Sequence, residues 1–366
     1  MKRRDFVTGL GASAAAAGLV GCEREAPSAG VAAPGQTFSW KMVTTWPPNF
    51  PALGTGALRL AQSIEAASGG RIRVKVYGAG ELVPAFEVFD AVASGTAELG
   101  HGGAYYWKGK AEAASFFSAV PFGLNALEMN AWLYFGGGWD LWKEVYAPFG
   151  LLPAPAGNSG VQMGGWFNRE IRSVDDLKGL KMRIPGLGGE VLARAGGNPQ
   201  TTPGSEIFTA MQTGVIDATE WVGPYNDLAF GLHRVAKYYY YPGWHEPGTT
   251  LECIVNQRAF DALPDDLREI VLLACRATND TMLAEFTARN HEALATLVNE
   301  HGVELRAFPT EVLARLKVLS REVVAEKASQ DPMFAKVLAS YSAFESRVSE
   351  WMRISEQAYL ATRDLR

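Results

Sequence analysis

The stretch Arg71-Ile-Arg-Val-Lys-Val-Tyr77 alternates charged and apolar side chains at a period of two, which predicts a strand with one buried face. A helix is expected after it, over about 84–94, and Gly95 stops it. A short strand then runs into Gly100-His101-Gly-Gly. Upstream, Ser39 to Thr45 reads as a first strand turned by Trp46-Pro47-Pro48. A helix over 53–67 follows and ends at Ser68-Gly69-Gly70, a C-terminal glycine signal. Strands alternating with helices place the fold in the α/β class, with a largely parallel sheet.

The pattern then restarts. Gly160-Val-Gln162-Met-Gly-Gly-Trp-Phe is expected to be a strand crossing into a second lobe. Ser173-Val-Asp-Asp176 opens a short helix as a capping box does. Leu180 to Pro185 reads as a strand, Gly188 to Ala195 and Ser205 to Thr213 as helices, and Val215 to Thr219 leads to Glu220. Asp265 to His301 contains no glycine or proline, and at ~1.5 Å per residue such a helix spans on the order of 50 Å. That exceeds one lobe and predicts a spine along both. Met333 to Arg366 is also free of glycine and proline. Its stripe of Val337, Tyr341, Phe344, Val348, Trp351, Ser355 and Ala358 is a seam for a partner helix, and packing on the chain's own surface is the alternative. The expected plan is therefore an export signal at 1–22, a linker at 23–37, lobe I at 38–160 and lobe II at 161–252. A return segment with the spine helix follows at 253–332, then a dimerisation helix at 333–366.

The first residues read as an address. Lys2-Arg3-Arg4-Asp5-Phe6 is a twin-arginine n-region, and the apolar Val7 to Gly21 segment is too short and too weakly apolar for a permanent span. Such signals export folded proteins, which places the chain in the periplasm. Leu19-Val20-Gly21-Cys22 resembles a lipobox, so a lipid anchor at Cys22 and ordinary cleavage both stay open. Loss of residues 1–21 removes Lys2, Arg3, Arg4 and Asp5 and takes the net charge from −5 to −7. An acidic surface argues against a nucleic-acid partner. Cys253 and Cys275 could pair outside the cytoplasm, but the apolar surroundings of Cys275 favour two buried thiols. No P-loop, GxSxG, CxxC or HExxH motif occurs, so nothing in the sequence points to an enzyme.

The chemistry concentrates in Ala218-Thr-Glu220-Trp221-Val-Gly-Pro224-Tyr225-Asn226-Asp227 and in Arg183 of Leu180-Lys-Met-Arg183-Ile-Pro185. An arginine fork pairs two parallel hydrogen bonds with a carboxylate. A glutamate can hold a hard cation or a ligand hydroxyl. Both follow short apolar runs, where ligands collect in open α/β sheets. The combination suggests a pocket for a small organic acid.

These residues carry a resemblance. Val83-Pro-Ala-Phe-Glu87, Gly100-His101-Gly with Tyr105-Tyr106-Trp107, and Asp175-Asp-Leu-Lys-Gly-Leu-Lys-Met-Arg183 belong to it, as do Gly204-Ser-Glu206, Gly214-Val-Ile-Asp217 and Glu220-Trp221-Val-Gly-Pro224. Over residues 38–330 the chain resembles the DctP-type solute-binding proteins of tripartite ATP-independent periplasmic (TRAP) transporters. Gly243-Trp244-His245-Glu246-Pro247-Gly points to the branch that binds 2-oxo acids and related monocarboxylates. The resemblance implies a two-lobed periplasmic-binding-protein fold with hinge strands, the hinges lying near Asn158–Gln162 and Glu252–Val255. It implies that Arg183 pairs with the ligand carboxylate. Gln162, Glu220, the main-chain carbonyl of Trp221 and Glu246 would hold a cation, sodium ahead of calcium. Tyr105 and Asn158 would hydrogen-bond the ligand, while Trp46 and Trp221 close its apolar side. His101 and His245 are read as packing and hydrogen-bonding residues. The C-terminal helix is implied to exchange between two protomers.

The function this supports is extracytoplasmic capture of a small monocarboxylate, pyruvate or a 2-hydroxy acid such as lactate, for a TRAP-type permease. A sensor that presents the carboxylate to a receptor, and less readily an exported enzyme, are the alternatives. Which carboxylate and which cation bind stays open in the sequence.

Overall fold

The computed structural model describes residues 35–363 and Leu365. The signal segment 1–22, with its twin arginines and Cys22, lies outside the described residues, as does most of the linker. Among the described residues no helix is long and apolar enough to cross a membrane.

Strands β1 (Phe38–Thr44), β2 (Ile72–Tyr77), β3 (Leu99–Gly102) and β4 (Leu151–Asn158) precede the first crossing. Then come β5 (Gly165–Phe167), β6 (Lys181–Arg183), β7 (Asn198–Gln200), β8 (Ala218–Thr219) and β9 (Tyr238–Tyr241). β10 (Thr250–Asn256) and β11 (Glu304–Ala307) complete the set. One sheet has the order β2-β1-β3-β10-β4 and the other β11-β9-β5-β8-β6-β7. β1 pairs with β2 and β3 in parallel, while β10 runs antiparallel between β3 and β4. The α/β class and the two-lobed plan are therefore in place.

The alternation that predicted β2 is visible in its burial. Ile72 is buried, Arg73 and Lys75 are exposed, and Val74 and Val76 pack on a core that includes Trp40, Met42, Leu60 and Ile64. The expected helix at 84–94 is instead a tight turn at Ala85–Glu87 followed by a helix at Val88–Ala93. The strand expected over 160–167 shortens to β5. Gly160 takes φ 71° and Gly165 takes φ 116°, and a Cβ at Gly165 would lie 2.7 Å from the Thr219 carbonyl. Only glycine fits there, so the chain crosses between lobes as a loop and Gln162 sits outside the sheet.

The spine is the 35-residue helix Asp265–Asn299, which packs on β4 and the helix Leu53–Ala67 in lobe I and on the helix Pro224–Phe230 in lobe II. Thr250, Leu251 and Glu252 already belong to the first sheet, and β11 joins the second. The helix Thr310–Gln330 packs on Gly186–Arg194 of lobe II, whereas Pro332–Ile354 packs on lobe I. The chain thus passes between the lobes again at Asp331, whose carboxylate accepts from the N–H groups of Met333 and Phe334. The C-terminal segment is two helices, Pro332–Ile354 and Glu356–Arg363, broken at Ser355. Cys253 and Cys275 are buried free thiols.

Glu252 of β10 is fully buried and accepts the Trp107 indole N–H at 2.5 Å and the Tyr146 hydroxyl at 2.9 Å. Burial pushes its pKa up to about 8 against the opposing pull of these two donors. A carboxyl whose folded pKa lies above the unfolded value is held neutral by the fold. Stability is therefore greatest below the unfolded pKa and declines as pH rises towards 8. Asp227 and Glu246, each pushed up by burial to about 7, act in the same direction. Denaturant titrations of the ligand-free protein from pH 5 to 9 should show this decline. Glu252→Gln should flatten its upper part, between about 7 and 8, and an unchanged slope there would show that Glu252 ionises freely.

Candidate functional site

Parallel neighbours β6 and β8 end side by side, with Met182 opposite Ala218 and Arg183 opposite Thr219. This register places Arg183 beside Glu220, whose N–H donates to the Arg183 carbonyl at 3.1 Å. Both side chains are almost wholly buried. Arg183 Nη1 donates to Glu220 Oε1, Nε donates to the Thr202 carbonyl at 3.1 Å, and Nη2 donates to the Tyr106 hydroxyl at 3.2 Å. The guanidinium also lies 5.1 Å from the Trp221 ring, within cation–π range.

The two crossings meet beneath this pair. Gln162 donates its main-chain N–H to the Glu246 carbonyl at 3.2 Å and accepts from the Gly243 N–H at 2.9 Å. Its side-chain amide donates to Glu246 Oε2 at 2.8 Å and to Ser159 Oγ at 3.0 Å. Thr249 Oγ1 donates to Glu246 Oε2 at 2.6 Å. Potential ligand atoms of Glu220, His245 and Glu246 all lie within 4.8 Å of one another, and all three residues are buried. Burial first, and then the charge of Glu220, raises the Glu246 pKa to about 7. With both glutamates ionised, Arg183 alone leaves one uncompensated negative charge.

Several polar atoms here are buried without a partner: Gln162 Oε1, Glu220 Oε2, Trp221 Nε1 and both His245 ring nitrogens. Buried polar groups in folded proteins are overwhelmingly satisfied, so this concentration marks a place that something else completes. The two oxygens suit a hard cation. Gln162, Glu220 and Glu246 thus carry the oxygen donors that the expected cation set requires.

Lobe I supplies the opposite wall. Trp46 donates its indole N–H to His101 Nδ1 at 2.8 Å, and burial lowers the His101 pKa to about 4, so His101 is a neutral acceptor. Trp46 packs edge-on against Trp221 with ring centroids 6.2 Å apart, and Tyr105 packs on Tyr106 at 4.7 Å. Tyr105 also abuts lobe II, where a Cβ at Gly186 would come within 3.2 Å of it. Asn158 is placed differently from the other expected ligand contacts. Its amide donates to the Gly248 carbonyl and to Thr250 Oγ1, and its oxygen accepts from the Gly160 N–H at 2.8 Å, all within the crossing. Tyr106, Thr249 and Ser159, which the sequence does not single out as site residues, also contact this cluster, and His245, read from the sequence as a packing and hydrogen-bonding residue, faces Glu220. The Trp244-His245-Glu246 stretch was visible as a motif, but no spacing rule in the sequence says which of its side chains faces the pocket.

The sequence matches the family described as bacterial extracellular solute-binding protein, family 7, over residues 42–331. A monocarboxylate 2-oxoacid-binding periplasmic protein of Nostoc sp. is 44% identical over 361 residues, 98% of each chain. Two solved TRAP periplasmic solute-binding proteins are each 43% identical. One, from Colwellia psychrerythraea, holds calcium and pyruvate and superposes with TM-score 0.87 over 89% of this chain and 100% of that one. The other, from Pseudoalteromonas atlantica, holds sodium and pyruvate, with TM-score 0.88 over 90% and 100%. A 36% identical TRAP protein from Bordetella bronchiseptica, with TM-score 0.88 over 90% and 97%, is a mixed-occupancy dimer with calcium and picolinate. The chain accordingly belongs to the DctP family and is a TRAP-type solute-binding protein.

Proposed function

We propose that the pocket takes a small 2-oxo or 2-hydroxy monocarboxylate, pyruvate or lactate in size, together with a hard cation, and that the loaded protein delivers the acid to a TRAP-type permease. The observation that carries this reading is the buried cluster of Arg183, Glu220, Gln162 and Glu246, with its unpartnered oxygens. The ligand carboxylate pairs with Arg183 by displacing part of its bond to Glu220, which turns towards the cation. Trp46, Tyr105 and Trp221 limit the ligand's apolar end. Lys108 at the lobe I turn pairs with Glu190 of lobe II at 2.5 Å, which is consistent with lobes that close over the ligand and open at the crossings.

Arg183→Ala removes the carboxylate partner and leaves Glu220 buried without its cation. Breaking such a charged pair typically costs ~2–5 kcal/mol, so pyruvate affinity by calorimetry should fall by about two decades or more. Arg183→Lys should recover little, because a point charge cannot reproduce the fork. Near-normal affinity in Arg183→Ala would take the arginine out of the site.

The cation should be separable from the carboxylate. The sequence reading places sodium first; we infer calcium on the premise that a bound cation ionises Glu246, because calcium then brings the ligand-bound cluster to neutrality and sodium leaves one negative charge. After exhaustive chelation and desalting into sodium-free buffer, pyruvate titrations should show weak binding restored by either ion, at lower concentration by calcium. Glu220→Gln should abolish that restoration. Affinity that stays unchanged through the series would remove the cation from the reading.

The C-terminal helices support a homodimer of narrower extent than the sequence stripe suggested. Val337 and Tyr341 are buried in this chain, and Phe344 and Val348 pack partly on it. The distal residues are free of it: Trp351 is 62%, Ile354 71% and Tyr359 64% exposed. Apolar exposure on that scale marks an interface, and we infer that a second copy covers it. Removal of 350–366 should leave a folded monomer that binds pyruvate as the full chain does. Light scattering of the full mature chain at micromolar concentration should give twice the protomer mass, and a single protomer mass would sink the dimer.

A further inference from the structure

The cation and Arg183 leave one part of the pocket unexplained. Trp221 Nε1 and the two nitrogens of His245 are buried and lack partners. A cation satisfies oxygens and cannot satisfy an N–H donor. An indole nitrogen only donates, and in either neutral tautomer one imidazole nitrogen carries a hydrogen. The nearest carboxylate oxygen recorded for His245 is Glu220 Oε2, 3.5 Å from Nε2, beyond the usual N–H···O range. That oxygen is also the one the cation takes up. His245 is buried, its Cβ lies 2.9 Å from where a Cβ on Gly188 would sit, and its ring packs edge-on against Trp244, so no water reaches its nitrogens from bulk solvent in this arrangement.

We propose that His245 is a specificity-determining residue that donates an N–H to the ligand's second oxygen, on the carbon next to the carboxylate. This rests on the carboxylate-binding reading above and deepens it. The site would then recognise an acceptor at that position, an oxo or hydroxyl oxygen. It would disfavour acids that carry nothing there, and 2-ammonium acids, whose N–H groups would face another donor. A site built to hydrogen-bond a ligand group discriminates strongly against analogues that lack it, because its own polar group is then left unpaired.

Calorimetry with pyruvate and propionate, at saturating calcium and again at saturating sodium, tests it. If the unmodified protein binds no monocarboxylate, the general reading fails before this one is reached. Given binding, His245→Phe should weaken pyruvate by at least about tenfold and change propionate less than about threefold, with the calcium concentration for half-saturation unaltered. Equal losses for both acids would mean a structural role. A raised calcium requirement would make His245 a cation ligand. No change would remove it from the site, and any of these three results overturns the proposal. If the phenylalanine variant does not fold, His245→Gln, which keeps an N–H, is compared with His245→Met, which does not. Pyruvate preference should survive better in the glutamine variant, and equal loss in both again overturns the assignment.

Discussion

The structure depends on keeping the guanidinium of Arg183 out of water without leaving it unpaired. A buried ion pair is seldom a net source of stability, because desolvating two charges costs about as much as their attraction returns. The cost is limited here by full occupancy of the fork: Glu220, the Thr202 carbonyl and the Tyr106 hydroxyl each take part of it. Those partners come from different elements, so a single side chain fixes the end of β6, the loop after Thr201 and the lobe I turn relative to one another. A protein that needed only stability would replace such a pair with packed apolar residues. Its retention is understandable if the arginine must exchange one carboxylate for another.

The proposed exchange would draw on a cluster built from both lobes and both crossings. Arg183 and Glu220 lie on lobe II, Tyr105 and Trp46 on lobe I, and Gln162 and Glu246 on the segments between. In the proposed reading closure assembles the pocket, and pairs away from the cluster also join the two lobes. Glu190 is shared between Lys108 at 2.5 Å and Lys327 at 3.5 Å, and Lys327 also reaches Glu112 at 2.7 Å. These pairs are half-buried, so each is worth little alone in water, but as a network at the rim they favour the closed arrangement.

Much of this was legible in the sequence, and the reasons differ by feature. β2 and the spine helix announce themselves because side-chain period and length are local properties. Arg183 and Glu220 stand out in the sequence because both follow short apolar runs and sit within motifs, and the fold brings the two side by side. Gln162 was assigned to a strand because Gly160 and Gly165 read equally well as strand or loop until the Thr219 carbonyl is seen crowding Gly165. The stripe from Val337 to Ala358 has the period of a partner helix throughout. Which half is covered by the chain itself depends on Phe116 and Trp132, more than 200 residues away in sequence, where Phe334 and Tyr341 pack. His245 reads from the sequence only as a packing and hydrogen-bonding residue, because a histidine beside a tryptophan and a glutamate has no distinguishing spacing. Its orphaned nitrogens exist only in three dimensions.

The two lobes solve one further problem in the same way. Lobe I buries Glu252 against one indole N–H and one phenol hydroxyl, those of Trp107 and Tyr146. Lobe II buries Asp227 against the indole N–H of Trp166 at 2.9 Å and the hydroxyl of Tyr239 at 2.6 Å. Neither of these hydrogen-bond sets includes a cation. Trp107 directly follows Tyr105 and Tyr106, and Asp227 also accepts the N–H of Val222, the residue after Trp221. Each carboxylate thus ties a ligand-facing turn to rigid sheet residues, at the expense of a raised pKa. Donors of this kind hold a carboxyl in place without a charged partner, and burial then favours its neutral form. With both walls fixed in advance, the proposed site would leave little ordering for a ligand to impose, and its binding energy would be available for bringing the lobes together.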